Sequence, residues 1–131
     1  LGDVYKRQGL CGMATFLDPS ITTSDNLSGQ VVARKGDLPE IRSNVSIEVK
    51  LMEHMVSGDL SSNEKIQPLR NNEMLMLNVA TATSVGVTRN AEKGRTNLEL
   101  RLPICADKGQ RISLSRRIGS RWRLIGYGTI V

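Results

Sequence analysis

The chain has 131 residues and a formal net charge of +5, with 39% apolar and 24% charged residues. This length allows one domain, or one small domain with part of another, and the composition excludes an intrinsically disordered chain. Aromatic residues are scarce at 3%, so we expect a core of aliphatic side chains and methionine.

The first eight residues differ in pattern from the rest of the chain. LGDVYKRQ has neither a periodic pattern nor turn chemistry. Asp3 to Gln8 resembles the in-frame translation of a transposon-end sequencing adaptor, a contaminant of assembled metagenomic reads. We interpret residues 1–8 as such an artefact or as an unstructured tail, and expect them to contribute nothing to the fold.

Strands are predicted from residue 45 onward. Val45, Ile47, Val49 and Leu51 alternate with polar residues, which is the two-residue period of a half-buried strand. Upstream, prolines at 19 and 39 mark breaks, and we place a domain boundary within residues 35–39.

The middle of the chain combines a polar segment with an apolar run. Residues 56–70 are polar and contain Gly58 and Pro68, which predicts an exposed excursion between two strands. Residues 73–80 (EMLMLNVA) are nearly continuously apolar. This indicates a strand buried on both faces, although the pattern alone is also compatible with a buried helix. We expect the four methionines Met52, Met55, Met74 and Met76 to fill the core.

Turn signals recur at short intervals in the second half. Residues 92–95 (EKGR) and 107–110 (DKGQ) each place a glycine between strand-like segments, which predicts two hairpin loops. Leu98, Leu100 and Leu102 alternate with polar residues between these loops. Short strands at this spacing favour an all-β barrel or sandwich.

The net charge lies entirely at the C-terminal end. Residues 1–106 contain twelve basic and twelve acidic residues, whereas residues 107–131 contain six basic residues and Asp107 alone. Four of these basic residues lie close together in sequence: Arg116, Arg117, Arg121 and Arg123. They could bind phosphates through bidentate hydrogen bonds, or could pair with acidic residues of another domain or line the barrel rim.

Strand geometry predicts the faces of the last segment. In a regular strand, Arg121, Arg123 and Tyr127 share one face and Trp122 and Leu124 share the other. Gly126 and Gly128 predict a bulge or a close backbone approach, and we prefer a bend that closes a barrel.

Catalytic and metal-binding patterns are missing from the sequence. Two distant cysteines and one histidine suggest neither a zinc site nor a disulfide, so we expect a reduced, cytoplasmic setting. No apolar run of membrane-spanning length occurs, and we expect no membrane partner.

The sequence has no GxxxxGK[ST] motif and no Gly-Lys dipeptide, so the phosphate-binding loop of a P-loop GTPase is absent. We predict no catalytic, cofactor or metal residue.

Three blocks carry a resemblance to a known family. They are residues 9–39 (GLCGMATFLDPSITTSDNLSGQVVARKGDLP), 71–88 (NNEMLMLNVATATSVGVT) and 111–128 (RISLSRRIGSRWRLIGYG). Each resembles the corresponding segment of the gamma subunit of archaeal and eukaryotic translation initiation factor two, although Ala80 stands where the family usually has glycine. The third block, with its R-x-R-L-I-G-x-G ending, is the most specific.

The resemblance implies a fold and a domain organisation. Residues 9–37 would be the last strands of a second β-barrel. Residues 38–131 would be the complete third domain of a translational GTPase, an all-β Greek-key-type barrel.

The resemblance also implies a role in translation initiation. The parent protein would use GTP and magnesium and would deliver initiator methionyl-tRNA to the small ribosomal subunit, together with alpha and beta subunits. The fragment itself would hold no cofactor and would serve contacts with the GTPase domain and with the other subunits.

Residue roles are implied by position in the family. Gly9, Leu10 and Gly12 would lie at the edge of the tRNA pocket, and the four arginines would make interdomain or RNA contacts. The alternatives are a free-standing basic RNA-binding barrel and the equivalent domain of an elongation factor.

Overall fold

The computed structural model describes residues 9–54, 65–92 and 94–131. The interpretation of residues 1–8, the role of Met55 and residues 56–64 of the polar excursion predicted over residues 56–70 lie outside the described residues.

Six antiparallel strands form a closed barrel. They are β1 (Ile41–Leu51), β2 (Met74–Val79), β3 (Ala82–Glu92), β4 (Arg95–Cys105), β5 (Arg111–Ile118) and β6 (Arg121–Ile130). Their order around the barrel is β1-β4-β3-β2-β5-β6, and β6 pairs with β1 to close it. Strands β2, β3 and β4 follow one another as neighbours, and β1 lies beside β4, which is a Greek-key arrangement. The predicted all-β barrel is confirmed.

The core is aliphatic, as the composition predicts. Alternate residues of each strand point into the barrel because successive side chains of a strand face opposite sides. Val45 and Ile47 of β1 are 2% and 0% exposed, and Leu98 and Leu100 of β4 are also buried. Leu102, predicted to continue that pattern, is exposed. The buried apolar residues are Val45, Ile47, Leu75, Leu77, Val79, Leu98, Leu100, Ile104, Ala106, Ile112, Leu114, Ile125 and Ile130.

Strand β2 differs from its prediction. It is buried on one face only: Leu75 and Leu77 point inward, whereas Met74 and Met76 point outward. The expectation that methionines fill the core is wrong for Met74, which is 42% exposed, and Met52 and Met76 are half-buried. A barrel encloses one face of each strand, so the second apolar face of β2 lies on the outside.

One of the two predicted hairpins is present. Glu92 pairs with Arg95 at the start of the β3–β4 ladder, which confirms the first. The second is wrong, because β4 and β5 are not neighbours and residues 107–110 cross one end of the barrel. A further hairpin joins β2 to β3, where Val79 pairs with Ala82. There Ala80 adopts φ +51°, a left-handed conformation that glycine occupies at little cost.

Residues 9–40 lie outside the barrel and contain no strand. Their one helix, α1 (Pro19–Thr22), is a single turn with Asp18 at its N-cap. The Asp18 carboxylate accepts the Ser20 amide hydrogen at 2.9 Å, and this bond lowers the pKa of Asp18. The strands predicted within residues 9–37 are not formed, since a strand requires a neighbouring strand to satisfy its backbone groups. The assignment of this segment to a second barrel remains a prediction.

The N-terminal segment is nevertheless attached to the barrel. Gly29 packs against the β2–β3 turn, where a Cβ on this glycine would lie 3.0 Å from Ala82 Cα. Near β1, the Cys105 thiol donates to the Pro39 carbonyl oxygen at 3.1 Å and the Ala106 amide donates to the Glu40 carbonyl oxygen at 3.3 Å. The segment therefore approaches the barrel at two places.

Candidate interdomain surface

The basic C-terminal sequence forms the β5–β6 hairpin, and a bulge changes its faces. Leu114 pairs with Gly126 but Ser115 pairs with Leu124, so Ile125 is an extra residue on β6. A bulge of this kind reverses the alternation of side chains beyond it. The prediction that Tyr127 shares a face with Arg121 and Arg123 is therefore wrong: Tyr127 points outward, on the same side of the strand as Leu124.

The glycines after the bulge allow β6 to approach β1. A Cβ on Gly126 would lie 2.9 Å from Leu51 Cα and still closer to the Lys50 carbonyl oxygen. Side chains cannot occupy such a space without a backbone shift. The preferred interpretation of Gly126, a bend that closes the barrel, agrees with this geometry.

Arg116 is engaged within the barrel. Its Nε and Nη2 donate to the two carboxylate oxygens of Glu73, and its Nη1 and Nη2 donate to the carbonyl oxygens of Gln67 at 3.0 Å and Pro68 at 3.1 Å. Glu73 also accepts the backbone amide hydrogen of Arg70 at 3.0 Å. Both charged side chains are less than one fifth exposed. This network fastens residues 67–70 to one end of the barrel.

The other three arginines have no such partner among the described residues. Within 4 Å, the ion pairs of that part of the chain are Glu40–Arg42, Arg89–Glu99 and Glu73–Arg116. Arg117 and Arg121 are exposed and Arg123 is half-buried. Arg123 lies directly opposite Arg116 in the hairpin, so this end of the barrel is positively charged. It is available to an anionic partner.

The predicted edge of a tRNA pocket lies in the N-terminal segment. Gly9, Leu10 and Gly12 are all exposed, and a Cβ on either glycine would meet no atom within 4 Å. The structure does not bring these residues to the arginines. Their role in tRNA binding remains a prediction.

A second surface feature escaped the sequence analysis. Val85, Met76, Ser115 and Leu124 stand side by side on four neighbouring strands, and all point outward because their strand neighbours Leu77 and Leu114 point inward. Val87, Met74 and Trp122 lie beside this row. We call these seven residues the apolar wall. Its signal in the sequence was the run at residues 73–80, which is apolar on both faces of one strand.

Metal and membrane features are absent from the part of the chain that the structure describes. There, no three residues among His, Cys, Asp and Glu approach one another closely enough to form a metal site. Helix α1 has four residues, and none of the described helices could span a bilayer.

Comparison with known proteins assigns the family. The family described as "Initiation factor eIF2 gamma, C terminal" matches residues 43–130. Proteins named translation initiation factor 2 subunit gamma are 53% identical over 122 residues in Methanococcus aeolicus, 50% in Methanocaldococcus jannaschii and 46% in Methanopyrus kandleri. Each alignment covers 93% of the chain but 29% of the relative, so the chain spans about three tenths of their length. These names identify the gamma subunit and not the elongation factors that were the alternative. The chain belongs to the family of initiation factor 2 gamma subunits, as a C-terminal domain of that family.

Proposed function

We propose that the barrel acts in translation initiation as an assembly element of a gamma subunit. In this proposal the parent protein binds GTP and magnesium and delivers initiator methionyl-tRNA to the small ribosomal subunit in the cytoplasm, together with alpha and beta subunits. Residues 38–131 are its third domain, and residues 9–37 belong to the second. Gly9, Leu10 and Gly12 would border the tRNA pocket once the rest of that domain is present.

The observation that carries the assembly role is a set of arginines that have no ion-pair partner among the described residues. Arg117, Arg121 and Arg123 lie at one end of the barrel, and the described residues supply no carboxylate within 4 Å of them. Exposed arginines that face an acidic surface of a neighbouring domain gain charge-assisted, bidentate hydrogen bonds. We therefore assign Arg121 and Arg123 to a contact with the GTPase domain. Arg116 supports this end from within.

The chain's similarity to its relatives allows a direct test. The matching 122 residues of the Methanococcus aeolicus gamma subunit are replaced by the corresponding residues of this chain, and the chimera is assembled with alpha and beta subunits. We expect it to bind initiator methionyl-tRNA in a GTP-dependent manner and to deliver it to small ribosomal subunits. A chimera that folds but does not deliver tRNA would contradict the proposed function.

The arginine assignment is tested in the same chimera. Arg121→Ala with Arg123→Ala should weaken the coupling between nucleotide state and tRNA affinity, because the contact with the GTPase domain is lost. The matched control is Arg101→Ala, which removes an exposed arginine from another strand of the barrel. Unaltered tRNA affinity and nucleotide coupling in the double variant would remove these arginines from the interface.

RNA binding by the barrel is the second candidate, and the exposure of Arg117 and Arg121 favours it. A surface that neutralises phosphates releases counterions, so its RNA affinity falls steeply as salt increases. We expect the 131-residue chain to bind RNA weakly at physiological salt. Tight binding with a steep salt slope that Arg117→Ala reduces would favour the RNA interpretation over interdomain contact.

A further inference from the structure

The chain between β1 and β2 passes over one end of the barrel. These two strands are not neighbours, and β1 ends and β2 begins at the end of the barrel that carries the arginines. Ile66 and Leu69, which lie in this connection, pack against the core. We call residues 65–69 the strap. The strap therefore covers the arginine end of the barrel.

One side chain attaches the strap to the strands. Among the described residues, the backbone of the strap makes no hydrogen bond to the backbone of a strand; its Ile66 amide donates to the carbonyl oxygen of Glu53, in the same connection. The Arg116 guanidinium instead donates to the carbonyl oxygens of Gln67 at 3.0 Å and Pro68 at 3.1 Å. Opening of the strap would therefore break the hydrogen bonds of one arginine and no strand pairing.

Glu73 holds that arginine in place. Its two carboxylate oxygens accept from Nε and Nη2 of Arg116. The backbone of Glu73 is itself fixed to β3, because its amide donates to Thr88 Oγ1 at 2.8 Å and its carbonyl oxygen accepts from the Thr88 amide at 2.9 Å. Thr88 is fully buried. Glu73 thus belongs to the barrel, and its ion pair with Arg116 determines whether the strap is held.

Packing beneath the strap is incomplete. A cavity of about 300 Å³ is lined by Pro68 and Leu69 of the strap and by Val49 and Leu51 of β1, with residues 91, 92 and 94 around the rest. Side chains beside a void lose part of their dispersion contacts. Segments with few buried contacts and few backbone hydrogen bonds open at a lower free energy than the core does. The strap has both properties.

Arg116 also connects the strap to the arginine surface. Arg116 lies opposite the buried Leu75 on one side and opposite Arg123 on the other. Directly opposed residues share a face of the sheet, so both arginines lie on the inner face at this end of the barrel. A carboxylate that approaches Arg123 is therefore close to Arg116, where it competes with Glu73 for the same guanidinium.

We propose that the strap opens and closes over this end of the barrel as a unit, with the Glu73–Arg116 ion pair as its latch. A carboxylate that reaches Arg116 from the side of Arg123 releases the latch. This release step rests on the proposed function, in which Arg123 meets an acidic surface, whereas the strap and its latch do not. Release leaves the barrel folded and uncovers Val49 and Leu51.

Thiol labelling measures the opening. Cys11 and Cys105 are replaced by serine in the 131-residue chain, and one cysteine is introduced as Leu69→Cys in the strap or as Val79→Cys in the core, where Val79 is 2% exposed. Maleimide labelling rates are measured at low urea concentrations. A thiol at position 79 reacts only through global unfolding, which urea promotes strongly. We expect the thiol at position 69 to react at least about tenfold faster, with little dependence on urea.

Equal rates and equal urea dependence at positions 69 and 79 would overturn the strap. Ile66→Cys provides a second reporter if Leu69→Cys does not fold, as judged by circular dichroism.

The latch is tested by the same substitution at two ion pairs. Glu73→Gln should raise the labelling rate at position 69 about tenfold, because a charged acceptor of the Arg116 hydrogen bonds is lost. Glu99→Gln is the matched control, since it removes the carboxylate of the exposed Arg89–Glu99 pair, and it should leave this rate unchanged. Equal effects of the two substitutions would contradict the latch.

The release step is tested by placing a carboxylate opposite Arg116. Arg123→Glu should raise the labelling rate at position 69 about fivefold, the lower limit of typical coupling between two sites. Arg111→Glu makes the same change of charge at the far end of β5 and should have no effect. An unchanged rate in Arg123→Glu would overturn the release step. These rates are measured without tRNA or other subunits, so a chimera that fails to deliver tRNA contradicts the proposed function alone.

Discussion

Gly126→Ala is expected to be far more damaging than its size suggests. One methyl group would be placed 2.9 Å from Leu51 Cα and still closer to the Lys50 carbonyl oxygen. Both atoms belong to the backbone of β1, so no side-chain rotation relieves the overlap. The two strands must separate at Leu51↔Gly126, the last pair of the β1–β6 ladder.

The expected magnitude is set by the atoms involved. Overpacking a core costs typically 1–3 kcal/mol, and we expect Gly126→Ala at or above the upper limit, about 3 kcal/mol, because the overlap is with backbone. Gly128→Ala is the matched control, two residues further on the same strand. Its nearest neighbour is Ile47 Cδ1 at 3.2 Å, the end of a flexible side chain. The strain there should be offset by the roughly 0.5–1 kcal/mol that alanine gains over glycine within a strand.

Equilibrium unfolding in urea measures both variants. The native chain, Gly126→Ala and Gly128→Ala are compared by circular dichroism, with the denaturant dependence of the unfolding free energy required to stay constant. We expect a large drop in midpoint for Gly126→Ala and little change for Gly128→Ala. We attribute the need for glycine at position 126 to the close β1 backbone, and not to general crowding. Equal stability of the two variants would refute this explanation.

Three further changes test other parts of the fold. Ala80→Gly should stabilise the barrel by about 0.5–1 kcal/mol in calorimetry, because it removes left-handed strain of roughly 1–2 kcal/mol and loses part of that gain to unfolded-state entropy. Glu73→Gln should cost about 2 kcal/mol, since it replaces the charged acceptor of the hydrogen bonds made by the mostly buried Arg116. Carbon-detected NMR titration of Asp18 should give a midpoint below its ordinary value; the N-cap bond is complete above the unfolded-state pKa and is lost as pH falls through the lowered pKa.

Each of these three predictions has a control measurement or a contradicting outcome. The exposed Arg89–Glu99 pair should be worth under about 1 kcal/mol in a double-mutant cycle, so a similar value for Glu73–Arg116 would contradict its structural role. A destabilised Ala80→Gly variant would show that the turn does not strain alanine. Replacing Ser20 by proline removes the amide donor, and an unchanged Asp18 midpoint would mean that this bond does not set it.

Local patterns predicted much of the fold. Period-two alternation placed β1 and most of β4 correctly, because most side chains inside the barrel are apolar and strands direct every second residue into it. The glycine turn at residues 92–95 identified one hairpin. The C-terminal sequence identified the family, since its residues are specific in type and spacing.

Pairing between distant strands was decided only by the tertiary structure. The loop at residues 107–110 has the chemistry of a hairpin, yet it joins strands that are not neighbours. No local pattern shows which strands will pair. Arg116 likewise forms an ion pair with Glu73, 43 positions away in sequence. The other three arginines have the same chemistry, but no such ion pair among the described residues.

The predictions from sequence and the tertiary structure differ most on the outward face of the barrel. By itself, the sequence determined that β2 is apolar on both sides, and it thereby predicted full burial. The tertiary structure decided that only one side enters the core, because a closed barrel has a single interior. One extra residue at Ile125 then turned Tyr127 outward and left Gly126 against β1. Bulges and strand order depend on contacts between distant segments, and local sequence patterns do not contain them.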